Sequence, residues 1–134
     1  MKIAIEAQRI FRSDKHGMDF VILETLKELQ KCKDGNHYYV LVSAGEDRCL
    51  EESENLSIIE VHCPSYPLWE QVALPYTVQQ LQADLLHCTS NTAPLWCPVP
   101  LVLTLHDIIY LEPRQHRSPS LYQEMGWHYR RMVV

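Results

Sequence analysis

Long apolar runs are missing from this 134-residue chain. None approaches the roughly 18 residues a membrane-spanning helix needs, so a span is excluded. The opening Met-Lys-Ile-Ala-Ile-Glu is read as too short for a signal peptide, because Glu6 and Gln8 interrupt its apolar stretch. Clustered positive charge is missing too. The 12 Lys and Arg are scattered through a chain of formal net charge −5, and nucleic-acid binders usually carry a basic face, so no nucleic-acid partner is expected. The five cysteines (Cys32, Cys49, Cys63, Cys88 and Cys97) are odd in number and form no Cys-x-x-Cys pair. That argues against a disulfide framework and fits reduced thiols in a cytosolic protein. Neither Gly-x-Gly-x-x-Gly nor a Walker loop is present, which counts against a dehydrogenase. No Gly-x-Ser-x-Gly elbow supports a serine hydrolase. Internal repeats and low-complexity segments are absent as well.

What is there suits one soluble domain. Hydrophobic residues make up 46% and charged residues 22%, and the length suffices for a single core. Lys2 to Ala7 reads as a first strand, followed by a polar, basic loop from Gln8 to His16. Gly17 opens a helix whose apolar residues Met18, Val21, Ile22, Leu26 and Leu29 share one face. Lys27 and Lys31 favour the helix end, and Gly35 with Asn36 stops it. Tyr38 to Ser43 and Ser57 to His62 read as the second and third strands. Between them, Glu46, Asp47, Glu51, Glu52 and Glu54 mark an acidic, solvated segment. Tyr66 to Gln82 is helical in character, but Pro75 predicts a break, with one short helix ending near Leu74 and a second beginning at Pro75. Asp84 to Cys88 and Pro100 to Leu105 are the fourth and fifth strands, their apolar runs suiting strands covered on both faces. Ser118-Pro119 predicts the start of a last helix carrying Leu121, Met125, His128 and Met132 on one side. That helix runs into Met132-Val133-Val134 without a polar stop, so the chain is expected to be a domain cut in or just after it, the alternative being a natural terminus that docks on a partner. The alternating order β-α-β-β-α-β-β-α implies an α/β fold: a Rossmann-like, mostly parallel sheet with helices on both faces.

In such sheets ligands bind beyond the carboxyl ends of the strands. His106, after the fifth strand, is the strongest candidate there, able to bond a hydroxyl or shuttle a proton. Asp107 beside it is read either as a ligand group or as a turn cap. Asn91, with Thr89 and Ser90 after the fourth strand, can hold a polar ligand or make an ordinary turn. Gly17 at a helix start can admit an anion or simply begin the helix. Arg9 faces either an anion or water. His62-Cys63 and His87-Cys88 suggest zinc, with His106 near by, but their spacing lacks local ligand pairs and strand neighbours point to opposite faces. Buried structural Cys and partly exposed His are the reading preferred to a metal site, and Trp69 and Trp96 are read as packing residues.

The same residues resemble the N-terminal domain of a family 4 (group 1) retaining glycosyltransferase of the GT-B type. Lys-Ile-Ala-Ile-Glu-Ala-Gln-Arg resembles the family's first strand and its Asp-Ala-Arg-like end, with Glu6 for the usual Asp. His16-Gly17-Met18 resembles the start of its first helix, and Trp69-Glu70-Gln71 with Leu74-Pro75 is similar to a recurrent stretch. The most specific pair is Asp84-Leu85-Leu86-His87 with Thr89-Ser90-Asn91, then Val102-Leu103-Thr104-Leu105-His106-Asp107. The resemblance implies an acceptor-binding half of a two-domain enzyme that moves a sugar from a nucleotide-sugar donor to a glycan or lipid-linked acceptor, with retention and without an essential metal or other cofactor. It implies that Gly17 approaches the donor phosphates, that His106 contacts the transferred sugar or acceptor, and that Asn91 lines the acceptor side. Gly17 lacks the family's preceding Gly. The donor-binding basic pair and the Glu-x7-Glu element belong to a second domain that this chain does not include, so the 134 residues alone are expected to be inactive. The resemblance fits a cytoplasmic protein and leaves room for peripheral membrane contact. The alternatives are a non-catalytic α/β domain binding a small molecule or a protein, and a sugar-nucleotide epimerase of the same fold.

Overall fold

The computed structural model describes residues 1–108, 111 and 121–133, the side chains of Tyr122 and Gln123 excepted. Five strands form one parallel sheet in the order β3-β2-β1-β4-β5. They are β1 (Lys2–Glu6), β2 (His37–Val42), β3 (Leu56–Glu60), β4 (Leu85–Cys88) and β5 (Leu101–Leu103). The chain is thus an α/β, Rossmann-like fold. Helix α1 (Gly17–Leu29) joins β1 to β2. A helical run of α2 (Tyr66–Leu68), a π segment (Trp69–Ala73) and α3 (Leu74–Gln80) joins β3 to β4, and α4 (Leu121–Val133) follows β5.

The two helical crossovers travel in opposite directions along the sheet. Because such connections share one hand, they lie on opposite faces. Strand alternation supplies each face with its apolar set. Ile5, Val40 and Val42 pack with Ile22, Leu23 and Leu26 of α1, while Ala4, Leu41 and Leu86 pack with Trp69, Leu74 and Val78 on the other side. Trp69 is fully buried and donates its indole N–H to Val61 O at 3.0 Å. Burying an indole of about 200 Å² stabilises the fold by on the order of 5 kcal/mol.

Pro75 does not break the helical run in two. Leu74 N reaches back five residues to Trp69 O, forming a π turn just before the proline. Pro75 has no N–H to give, and its ring would crowd the carbonyl four residues back in a regular helix; the wider turn accommodates both. The other corrections concern exposure. Trp96 is 64% exposed rather than packed, and of the cysteines only Cys88 is buried. On α4 the expected apolar side is turned out, with Leu121, Met125 and Met132 exposed, while Val133 is buried and Tyr129 makes the inward bonds. β5 is an edge strand with Val102 half exposed, so its apolar run is not covered on both faces. The acidic segment between β2 and β3 has its five carboxylates exposed as expected, though Leu50 within it is buried. The proposed helix start at Ser118-Pro119 lies outside the described residues, as does Val134. Among the described residues no helix is long and apolar enough to cross a membrane.

Candidate functional site

From β1 the chain moves to β2 and β3 on one side, then returns across β1 to β4 and β5 on the other. At such a switch point the loops leaving adjacent strands part and leave a crevice at the carboxyl edge. A cleft of about 910 Å³ opens there. Gln8, Arg9 and Arg12 line it after β1, Ser43 after β2, and Ser90 and Thr92 after β4. Helix α4 walls it with Met125, Tyr129 and Arg130.

Two buried carboxylates shape the floor. Glu6, 4% exposed at the end of β1, accepts the N–H of Gln8 at 3.0 Å and that of Thr89 at 3.2 Å. The Thr89 hydroxyl donates to Glu6 O at 2.7 Å, which ties the ends of β1 and β4 together. Burial pushes the Glu6 carboxyl above its ordinary value; the Gln8 and Thr89 N–H groups oppose this, and the Glu70 charge adds to it. Glu70, 2% exposed in the π segment, accepts from Tyr66 Oη at 2.8 Å, from Thr92 Oγ1 and from Tyr129 Oη. Burial, and next the Glu70 charge, raise the Tyr66 phenol. Burial, and next the hydrogen bond to Glu70, raise that of Tyr129. Both phenols therefore stay protonated donors at neutral pH. Tyr66 and Tyr129 also meet edge to face, 6.0 Å between centroids. Glu70 thus joins the helical run, the β4 loop and α4, which are distant in sequence.

The amino end of α1 opens toward the same cleft, Met18 lining it. Asp19, in the first turn, accepts the N–H of His16 at 2.8 Å and caps the helix. Its carboxylate also takes Arg9 Nε at 3.1 Å and Nη2 at 3.0 Å, and Asp19 is 3% exposed. Arg9 is therefore held rigidly on the cleft wall by an ion pair, not simply dispersed in water. Gly17 is the first residue of α1, and nothing lies within 4 Å of the Cβ it lacks. The fold itself leaves room for a side chain there.

His106 and Asn91 come together a short way along the edge, outside the cleft lining. The His106 N–H donates to Asn91 Oδ1 at 2.5 Å, and His106 Nε2 lies 2.8 Å from Thr89 O. Asn91 is 1% exposed, with φ of 67°, and its Nδ2 has no partner among the described residues. Asp107 is exposed beside them. Thus Arg9 lines the cleft, Gly17 lies outside its lining although the next residue, Met18, is part of it, and Asn91, His106 and Asp107 share the β4–β5 end. His87 bonds Thr104 Oγ1 at 2.7 Å, and burial holds its imidazole below the ordinary value, favouring the neutral ring. Among the described residues no three His, Cys, Asp or Glu side chains converge to hold a metal ion.

Sequence reasoning missed Tyr66, Thr92, Tyr129 and Arg12 as cleft residues and Glu70 as the buried acid that holds three of them, and saw Glu6 only as a strand end. A signal existed for Glu6: it shares the parity of buried Ala4, so an acid is aimed into a packed face. Glu70 stood out only within the Trp69-Glu70-Gln71 stretch, and its partners are found only when the chain folds back. No family model, no curated protein and no solved structure matches this chain.

Proposed function

We propose that this chain is the acceptor-binding N-terminal domain of a retaining, nucleotide-sugar-dependent glycosyltransferase of the GT-B type. One observation carries the reading. The two strand-end motifs of highest specificity, Thr89-Ser90-Asn91 and His106-Asp107, are hydrogen-bonded to one another at the carboxyl edge, beside the cleft at the switch point. Hydroxyl, amide and guanidinium groups on the cleft wall suit a ligand rich in hydroxyls. In this reading His106 contacts the transferred sugar or the acceptor, Arg9, Asn91 and Asp107 serve the acceptor side, and Gly17 admits the donor phosphates close to the α1 backbone. A second α/β domain supplies the donor site, and catalysis needs no resident metal. The acceptor is a glycan or a lipid-linked saccharide, met in the cytoplasm, with peripheral membrane contact for the whole protein.

A second reading, a non-catalytic domain that binds a partner protein, is favoured by the exposed Leu121, Met125 and Met132 of α4. The test begins with the coding frame beyond Val134. A second α/β domain carrying a basic pair and Glu-x7-Glu is expected, and the product of that frame should transfer sugar with retention of anomeric configuration. His106→Ala should lower transfer by about 100-fold or more. A frame without such a domain sinks the transferase reading in favour of the binding domain. Epimerised nucleotide-sugar without transfer would make the protein an epimerase of the same fold.

A further inference from the structure

β4 and β5 pair at constant offset, from Leu86 with Leu101 to Cys88 with Leu103. Past these strands the pairing resumes one residue out of step. Asn91 N donates to Thr104 O at 3.2 Å, and His106 N donates to Asn91 Oδ1 at 2.5 Å. Those two bonds are what a parallel pair between Asn91 and Leu105 would make, with one acceptor exchanged. The side-chain carbonyl of Asn91 replaces its backbone carbonyl, which the left-handed φ of 67° turns out of the ladder. The extra residue on the β4 side makes this a bulge, a feature that re-aims side chains at sheet edges.

Few residues can do this. Left-handed backbone favours Gly, Asn and Asp, and of these only Asn and Asp carry an oxygen at the required reach. The amide orientation is set by the His106 N–H, which only oxygen can accept. The consequence is a buried Nδ2 without a partner among the described residues, an arrangement that packing alone would select against. The His106 ring is fixed as well. A carbonyl only accepts, so Nε2 carries a proton toward Thr89 O, and of the two uncharged tautomers this bond selects the one with the lone pair on Nδ1.

We infer that Asn91 is a positioning residue: by standing in for a backbone acceptor at the β4–β5 bulge, it fixes His106 with Nδ1 presented as the acceptor for a ligand hydroxyl. The hydroxyl's source, a sugar, rests on the glycosyltransferase reading; the positioning does not. Asn91→Gly keeps the left-handed backbone and removes Oδ1. In the uniformly nitrogen-15-labelled 134-residue chain, this variant should exchange the His106 amide at least about ten times faster, because its acceptor is gone. It should also lose the single Nε2–H tautomer signature of His106 in nitrogen spectra, with the Val40 and Leu41 amides unchanged. Unaltered exchange and tautomer would overturn the inference. Asn91→Asp retains an acceptor oxygen and should keep His106 protected; protection lost as fully as expected for glycine overturns it too, and this variant decides the matter if the glycine variant does not fold. No sugar enters these measurements. Absence of sugar transfer by the longer protein would therefore count against the proposed function and leave the role of Asn91 standing.

Discussion

The two ends of one sheet edge are built on opposite plans. At the β1–β4 junction, charge is buried and well supplied with donors: Glu6 holds two N–H groups, and Glu70 gathers three hydroxyls from three parts of the chain. At the β4–β5 end the imidazole is exposed, its backbone and ring are each held by one bond, and a buried amide nitrogen goes unpaired among the described residues. A saturated carboxylate has little capacity left for a ligand, so the first region is suited to giving the cleft its shape. A histidine with one ring nitrogen committed still has the other for chemistry. The contrast separates the groups that build a site from those able to act in it, although both lie where strands end.

The sharpest break of the contrast is Glu70→Ala. It removes the common acceptor of Tyr66, Thr92 and Tyr129 and leaves α4 tied to the helical run only through Gln71 and the Tyr66 ring. Losing the shared acceptor of three hydroxyls, Tyr66 and Thr92 keeping only each other, should cost about 3 kcal/mol, read as a lower urea midpoint at unchanged slope. A loss below about 1 kcal/mol would mean that the donors find other partners, and that Glu70 does not organise the junction.

Next is Asn91→Ala, which tests the thinly bonded end. Alanine tolerates the left-handed backbone poorly and cannot accept from His106, so a loss of about 2 kcal/mol is expected from strain and one hydrogen bond together. Urea titration beside Asn91→Gly divides the two causes, glycine removing only the bond. Equal losses in both variants would show that the backbone conformation contributes nothing.

How much of this was legible follows from what each feature needs. The strands were readable to within a residue or two at most ends, because apolar runs such as Tyr38–Val42 report burial locally. The parallel order followed from alternation with helices. The His106 and Asn91 end was legible because polar residues stop an apolar run abruptly. The Glu6–Thr89 bond spans 83 residues, and no local pattern announces it. Glu70 sits beside Trp69 in what reads as an amphipathic helix, and its burial depends on Tyr129 arriving from α4. The π turn was hidden for a related reason: Pro75 signals disruption, but whether a helix breaks or widens is decided by Trp69 anchoring in the core.

Glu6→Gln probes the charge at the saturated end more gently. Since folding raises the Glu6 pKa, the folded state holds this proton more tightly than the unfolded chain. The penalty is absent below the unfolded value of about 4.5 and grows as pH rises toward the folded one. The parent should therefore lose stability relative to Glu6→Gln on going upward from pH 4.5, at no more than about 1.4 kcal/mol per pH unit, the slope for one proton. Asp14 and Asp34, lowered chiefly by hydrogen bonds, contribute in the opposite sense, their stabilisation being lost as pH falls through their folded values below 3.8. Those windows do not overlap, so thermal midpoints of the two proteins at pH 4.5 and 7 suffice. Parallel pH profiles for parent and variant would mean that Glu6 titrates alike in both states.

The smallest effect should come from Gly17→Ala, and its smallness is the point. At Gly45 an added Cβ would collide with the Phe11 carbonyl, so there the fold itself requires glycine. At Gly17 nothing lies within 4 Å, and no left-handed φ calls for glycine. Alanine at the first position of α1 should leave stability unchanged or raise it by up to about 1 kcal/mol, since glycine is the poorer helix former. In the proposed function, glycine at this helix start has its reason in a ligand that approaches the backbone. If Gly17→Ala keeps its urea midpoint while sugar transfer by the longer protein falls at least about tenfold, glycine there serves a ligand, as lost close approach to the helix N–H groups would predict. Transfer unchanged in a stable variant would reduce Gly17 to an ordinary helix start and leave the chemistry of this edge to His106.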